Sequence, residues 1–375
     1  MLKGISLTLL IGPVVPVPAP KAVMDALLSI EVTNGKDKSG FQLSFGVSKQ
    51  STLLTTLLPS GFFDPVTTRV IIIVTMGGMP QVIMDGMVTR QEMGPSSNPG
   101  QSTLTITGED LSVLMNIVEM PFMRFPAMPI IARVYAILAK YAAFGVAPLA
   151  IPPIFPDVPI PVDEVPTQTG TDLEYLKQLA SECSYVFYVD PGPLPGQSTA
   201  YWGPDIRIPI PQPALSVDMD AATNVDQLSF SLDGLSKKIV VVTVLDPVSN
   251  TIPIVVPIPN INIFRPPLGA RLLPPSRIEF PKSLAKEKLP SVLNKTLGIL
   301  SLAQDSITVT GSLDVTRYGS ILRNRLIVGV RGAGLGYDGM YYVNSVTHSI
   351  KRGEYKQRFQ MSRDGLISTT SGVPV

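Results

Sequence analysis

Between Gly339 and Leu366 the chain runs Gly-Met-Tyr-Tyr-Val-Asn-Ser-Val-Thr-His-Ser-Ile, turns through Lys351-Arg-Gly-Glu354, and continues Tyr-Lys-Gln-Arg-Phe-Gln-Met-Ser-Arg-Asp-Gly-Leu. Val, Tyr, Thr and Phe suit a pleated surface, and Gly353 supplies the dihedrals of a tight turn, so the run predicts two strands of a hairpin. The same texture marks the other end of the chain. Phe41, Leu43, Phe45 and Val47 fall on one face of a strand, whereas Gln42, Ser44, Gly46 and Ser48 fall on the other.

More strands follow from the same reasoning. Arg69 to Met76 holds Val70-Ile-Ile-Ile-Val74, apolar throughout, which predicts a strand covered on both faces. Gly77-Gly78 turns the chain into Gln81 to Arg90, and a loop at Gly94-Pro-Ser-Ser-Asn-Pro-Gly100 leads to a strand at Ser102 to Thr107. Beyond Pro204 strands are expected at Gln227 to Leu232, Lys238 to Leu245, Ser306 to Thr310, Arg325 to Val330, Tyr341 to Ile350 and Tyr355 to Ser362. Two short echoes connect these regions: Val88-Thr-Arg90 with Val346-Thr-His348, and Thr105-Ile-Thr-Gly108 with Thr308-Val-Thr-Gly311. They point to two related β domains flanking a helical middle.

In that middle the period changes. Asp110 is placed to cap a helix through Leu111, Leu114 and Met115, and a second helix is expected over Ile130 to Phe144. Pro148 to Pro166 reads as extended polyproline-type wrapping. Thr171 and Glu174 have capping-box spacing ahead of a helix with Leu173, Leu176, Leu179 and Ala180 on one face, and a strand follows at Tyr185 to Val189. Later, Asp246 to Pro275 is Pro-rich, and a polar helix is expected over Leu284 to Leu300, started or kinked by Pro290. The expected fold class is α+β, mainly β. Expected domains are 1–110; 111–205, with a Pro-rich insert at 145–166; and 206–375, with the Pro-rich excursion 246–275 and a helical insert at 276–303.

The 375 residues suffice for two or more cores. Thirty basic residues against twenty-nine acidic ones give no global field to steer nucleic acid or an anionic membrane. Cys183 is the sole cysteine, so an internal disulfide is excluded and a reducing cytoplasm is the expected folding compartment. The apolar patch Ile5 to Ile11 is interrupted by Ser6 and Thr8 and ended by Gly12-Pro13, a poor secretory segment. Ile130 to Ile151 contains Arg133 and Lys140, each costing about 2.5 to 3.5 kcal/mol at a bilayer centre, so a buried or interface helix is expected there.

Catalytic signatures fail one by one. Gly334-Leu-Gly336-Tyr-Asp-Gly339 matches G-x-G-x-x-G, but a strand follows where dinucleotide binding needs a helix N-terminus. His348 is the only histidine, and its register with Tyr342, Val346 and Ile350 places it on a largely apolar face as a structural residue. One His and one Cys build no metal site, and no G-x-S-x-G elbow is present. Glu109/Asp110 and Asp163/Glu164 are explained by capping and loop solvation rather than paired-carboxylate chemistry. Arg317, Arg323, Arg325 and Arg331 form a local basic cluster, read either as a subunit or nucleic-acid contact or as a solvated face.

The opening Leu7-Thr-Leu-Leu-Ile-Gly-Pro13, Asp85-Gly-Met-Val-Thr-Arg90, Ser102-Thr-Leu-Thr-Ile-Thr-Gly-Glu-Asp-Leu-Ser112, Thr171-Asp-Leu-Glu-Tyr-Leu176 and the C-terminal hairpin, with Gly329-Val-Arg-Gly332 upstream of it, occur in this order. Together they resemble the phage late-control protein D family, the baseplate hub proteins of contractile phage tails and contractile injection systems. The resemblance implies a non-enzymatic trimer without cofactors, each subunit carrying two tail-tube-like β-barrels. Such a trimer joins a sixfold inner tube to a threefold spike among other baseplate proteins. The chain carries no spike segment of its own, so a separate spike protein is expected. Neither sequence-specific nucleic-acid binding nor stable membrane insertion is expected. In such a channel, Gln42, Ser44 and Ser48, together with Gln227, Ser229 and Ser231, are the expected polar rows toward the lumen or the next subunit. The competing classes are a tail-associated cell-wall hydrolase and a membrane-inserting pore.

Overall fold

Period-two alternation becomes one extended sheet. The computed structural model describes residues 4–13, 15–36, 38–96, 98, 101–153, 165–207, 211–245, 253–257, 265–274, 276–279 and 305–370. The first part of the chain forms β1 (Ile5–Gly12), β2 (Leu27–Asn34), β3 (Ser39–Val47), β4 (Arg69–Met76), β5 (Met79–Gly94) and β6 (Ser102–Asp110). Phe41, Leu43, Phe45 and Val47 are all buried, as the alternation of β3 requires. β4 is covered on both faces: Val70, Ile72 and Val74 join the main core, while Ile71 and Ile73 pack with Val82 outside it.

The middle elements build a second core. Asp110 accepts from the Ser112 amide at 2.9 Å, but the turns it caps, Leu111–Asn116, form a 3-10 helix. α1 (Ile130–Leu138) continues as the 3-10 segment Ala139–Phe144. It buries Val134, Ile137 and Leu138, and its Arg133 donates to the Tyr175 hydroxyl at 2.8 Å. Among the described residues no helix is long and apolar enough to cross a membrane. α2 (Asp172–Cys183) has the full Thr171/Glu174 capping box. Beside the helices lie β7 (Val146–Ala150), β8 (Val186–Pro191) and β9 (Ser198–Gly203), in the order β8-β9-β7. Pro148 therefore sits in a strand, opposite Ala200, rather than in polyproline-type wrapping. An edge strand tolerates the missing amide hydrogen. Residues 154–164 of that Pro-rich stretch lie outside the described residues.

The last part adds β10 (Pro211–Ser216), β11 (Gln227–Leu232), β12 (Ile307–Asp314), β13 (Ile327–Arg331), β14 (Gly339–Lys351) and β15 (Glu354–Arg363). Gly353, at φ +81°, makes the turn between the last two. Lys238–Leu245 pairs instead with Pro253–Pro257 and Arg277–Glu279, apart from the main sheet. The helix expected over Leu284 to Leu300 lies outside the described residues.

The first and last parts share a 13-stranded sheet, whose path runs β11-β12-β15-β14-β2-β3-β6-β5-β4-β1. The seam is the antiparallel pair β14 and β2, with Val32 opposite His348 and Ile30 opposite Ile350. One core passes beneath it, from Phe41, Leu43 and Phe45 to Val346, Tyr355 and Phe359. The echo between Thr105–Gly108 and Thr308–Gly311 is structural: β6 and β12 are each the third strand out from the seam. Val88 and Val346 are not equivalent in this way, since β5 is fourth and β14 is first.

Candidate functional site

The seam makes a single polar surface out of two separate strand patterns. Gln42 lies opposite Glu31 and Thr107, and Ser44 opposite Ser29 and Thr105. On the far side Gln227 lies opposite Ser312, Ser229 opposite Thr310, and Ser231 opposite Thr308. Between them, β15 presents Lys356, Arg358 and Gln360 and β14 presents Ser345, Thr347 and Ser349. From β11 to β6, at about 4.8 Å per strand, this face is roughly 30 Å wide. Gln42, Ser48, Gln227, Ser229 and Ser231 are exposed and Ser44 is half-buried, so none sits in the core.

Contacts across the seam bind the face together. The Thr33 and Thr347 hydroxyls are 3.2 Å apart, and Arg358 reaches Glu31 at 3.7 Å. These residues carried no sequence signal, because β2 and β14 are separated by some three hundred residues of chain. A shallow depression of about 460 Å³ on this face is lined by Glu31, Gln227, Thr310, Ser312, Arg358 and Gln360. Hydroxyls and amides dominate the surface, with both charge signs interspersed.

Elsewhere several groups able to do chemistry have structural partners among the described residues. The glycine-rich turn at 334–339 is organised by its carbonyls: fully buried Arg363 donates to Gly336 O and Asp338 O, each at 2.8 Å, and to Gly365 O at 2.7 Å. Its guanidinium also lies 4.5 Å from the Tyr341 ring centre. β14 follows that turn, so no helix N-terminus meets it.

His348 is buried, with Nδ1 2.7 Å from the Tyr355 hydroxyl and 3.3 Å from Gln357 Nε2, and burial pushes its pKa down to about 3. The expected register with Tyr342 is corrected. A bulge between Val343 and Ser345 turns Tyr342 to the opposite face, where it packs with Leu268, Ile327 and Met340. Cys183 is buried and its thiol is pushed up to about 12, chiefly by that burial. Among the described residues no group of three His, Cys, Asp or Glu side chains is arranged for a metal ion.

The carboxylates have structural partners. Asp110 accepts from the amides of Ser39 and Ser112, and Glu109 meets Lys38 at 2.7 Å. Asp163 and Glu164 lie outside the described residues. The expected arginine cluster disperses. Arg317 pairs with Asp226 at 3.0 Å, Arg323 donates to Gln81 and Arg331 donates to Ser216. Arg325 is the most committed: it stacks 3.7 Å over Tyr188, pairs with Asp190, and donates to Gly35 O and Lys36 O at 2.9 Å. It thus ties the β2–β3 turn to β8. A second tie, Arg69 with Asp85, joins β4 and β5 through two bonds of 2.7 Å; Ser198 of β9 donates to the same carboxylate at 3.1 Å.

Such an arrangement, a wide polar sheet face of hydroxyls, amides and mixed charge, suits contact with other macromolecules. Neither a family model nor a curated protein sequence matches the chain. Solved structures do match, and tail proteins are among them. A tail protein from Neisseria meningitidis MC58 superposes with TM-score 0.62 at 15% identity, over 97% of this chain and 98% of its own. The 43 kDa tail protein of prophage MuSo2 from Shewanella oneidensis gives 0.61 at 12%, over 96% and 100%. A chain of the Francisella PdpA-VgrG complex gives 0.59 at 9%, over all of this chain and 60% of its own. The mainly β fold of this chain is thus shared with solved tail proteins.

Proposed function

We propose that this chain is the structural baseplate hub of a contractile tail or a related injection particle. In this reading three copies form a ring, each giving two tube-like halves, drawn from segments 1–110 and 206–375, around the segment 111–205. The ring meets a sixfold inner tube on one side and a separate threefold spike protein on the other. The polar face from β11 to β6 lines the central channel. Gln42, Ser44 and Ser48, together with Gln227, Ser229 and Ser231, present a surface that lets cargo pass without binding it. Assembly takes place in the bacterial cytoplasm, and the hub performs no catalysis.

The observation that carries this reading is the seam. Two similar β halves within one chain, joined edge to edge through β2 and β14, share one uninterrupted polar face. A sixfold neighbour needs six similar surfaces, and three chains with two each supply them.

The decisive experiment is mass photometry and negative-stain imaging of the purified chain, alone and with a candidate inner-tube protein. A trimeric ring with a central hole, or one formed on adding the tube protein, is expected. A monomer that degrades cell-wall material overturns the reading in favour of a hydrolase. Conductance in lipid bilayers overturns it in favour of a pore.

A further inference from the structure

Among the described residues the outer edge of β1 is left largely unpaired. β1 pairs with β4 along its whole length, from Ile5 opposite Met76 to Gly12 opposite Arg69. Among the described residues its other side is paired only at Leu10 and Ile11, with Val17–Pro18, besides the Ala19 amide that donates to Leu9 O at 2.8 Å. In an antiparallel strand the backbone groups of alternate residues point the same way. Because Leu9 O points away from β4, the N–H and C=O groups of Ile5 and Leu7 also face the open side.

A cavity of about 310 Å³ lies beside that edge. Ile5, Leu7 and Val74 line one wall, and Leu27, Ile350 and Tyr355 line the other, next to the seam. Lys351 and Arg352 stand at its mouth, both exposed, with Arg352 fixed by its bond to Asp25 O at 2.6 Å. No carboxylate belongs to the lining.

We propose that the open edge of β1 and this cavity form a strand-addition site for an extended segment of a partner protein, apolar at alternate positions and carrying carboxylates that meet Lys351 and Arg352. Backbone groups at Ile5 and Leu7 supply the ladder, the cavity takes alternate side chains, and the two cations fix the register. A second copy of β1 fits less well. Its sequence, Ile5-Ser-Leu-Thr-Leu-Leu-Ile-Gly12, brings no acid to the cations. A lipid chain would fill the cavity but leave the backbone groups unanswered. The inference does not depend on the hub reading, since it concerns only this edge.

Fluorescence anisotropy of the full chain with labelled synthetic peptides tests it. The probes are an alternating Thr-Val hexamer with two glutamates at one terminus, its mirror with the glutamates at the other, a two-lysine version, and one N-methylated at alternate amides. One of the glutamate peptides is expected to bind saturably, with at least tenfold weaker binding after N-methylation or lysine replacement. It is also expected to slow hydrogen exchange at Ile5 and Leu7. Arg352→Glu, in an exposed turn, is expected to weaken the glutamate peptide about tenfold and spare the fold, whereas Leu7→Asp tests the cavity wall. Failure of both glutamate peptides to bind overturns the proposal. So does binding indifferent to N-methylation, binding indifferent to Arg352→Glu, or uptake of oleate without peptide binding.

Discussion

Gly108 lies directly beneath the ring of Phe41: a Cβ placed on the glycine would come 2.2 Å from the ring and 2.4 Å from the Met87 carbonyl oxygen. Gly311 stands in the same relation to Phe359, at 2.6 Å, in the other half of the sheet. The matching pair shows that the short Thr-x-Thr-Gly echo encodes a packing device, a glycine that admits a neighbouring strand's aromatic ring. Gly108→Ala and Gly311→Ala are each expected to cost about 1 to 3 kcal/mol through overpacking, read from urea midpoints. Gly234→Ala, with nothing within 4 Å, is the control and is expected to stay within about 0.5 kcal/mol.

His348 should give the protein a pH-dependent stability. Burial holds its folded pKa near 3, whereas an unfolded histidine titrates at about 6.5. As pH falls below that value the unfolded state takes a proton that the folded state refuses. Stability is thus fully present above pH 6.5 and is lost toward pH 3, with a slope from this group of at most about 1.4 kcal/mol per pH unit. His348→Gln lacks this contribution, so the stability gap between it and the natural chain is expected to narrow from pH 7.5 to 4.5 in urea titrations.

The bidentate Arg69–Asp85 pair is buried on both sides. Arg69→Met leaves the carboxylate uncompensated and is expected to cost about 3 to 5 kcal/mol. Combining it with Asp85→Leu should restore most of that loss, because the lone buried charge is gone. Ser198→Ala removes only one bond to the same carboxylate and is expected to cost about 1 kcal/mol. Chemical denaturation of the three variants checks the order.

Arg363 holds the glycine-rich turn through backbone carbonyls, so Arg363→Met should loosen the turn. Leu335, 90% exposed at its tip, is the site where chymotrypsin is expected to cut faster in the variant. Adding ATP or NAD to the natural chain is expected to leave its Tm unchanged. A shift would show that the turn binds nucleotides after all.

Strand positions were largely legible because period two is a local property, and β11 occupies the expected residues Gln227–Leu232. The Thr171/Glu174 capping box was legible for the same reason, three residues apart. Legibility failed where a single backbone irregularity reverses a face, as the bulge before Ser345 does to Tyr342. It failed again for the arginines near residues 317–331, which stand close in sequence but find partners as distant as Gln81, Asp190 and Ser216.

By itself the sequence determined which side of strands such as β3 is apolar and where the Thr171/Glu174 box starts a helix. Only the tertiary structure decided that the two halves share a seam, that Gln42 and Gln227 belong to one surface, and that the outer edge of β1 is largely unpaired among the described residues. The reason is physical. Side-chain alternation depends on neighbours two residues away, but the choice of strand partner depends on backbone bonds and packing between segments such as Val32 and His348, which the chain brings together only on folding.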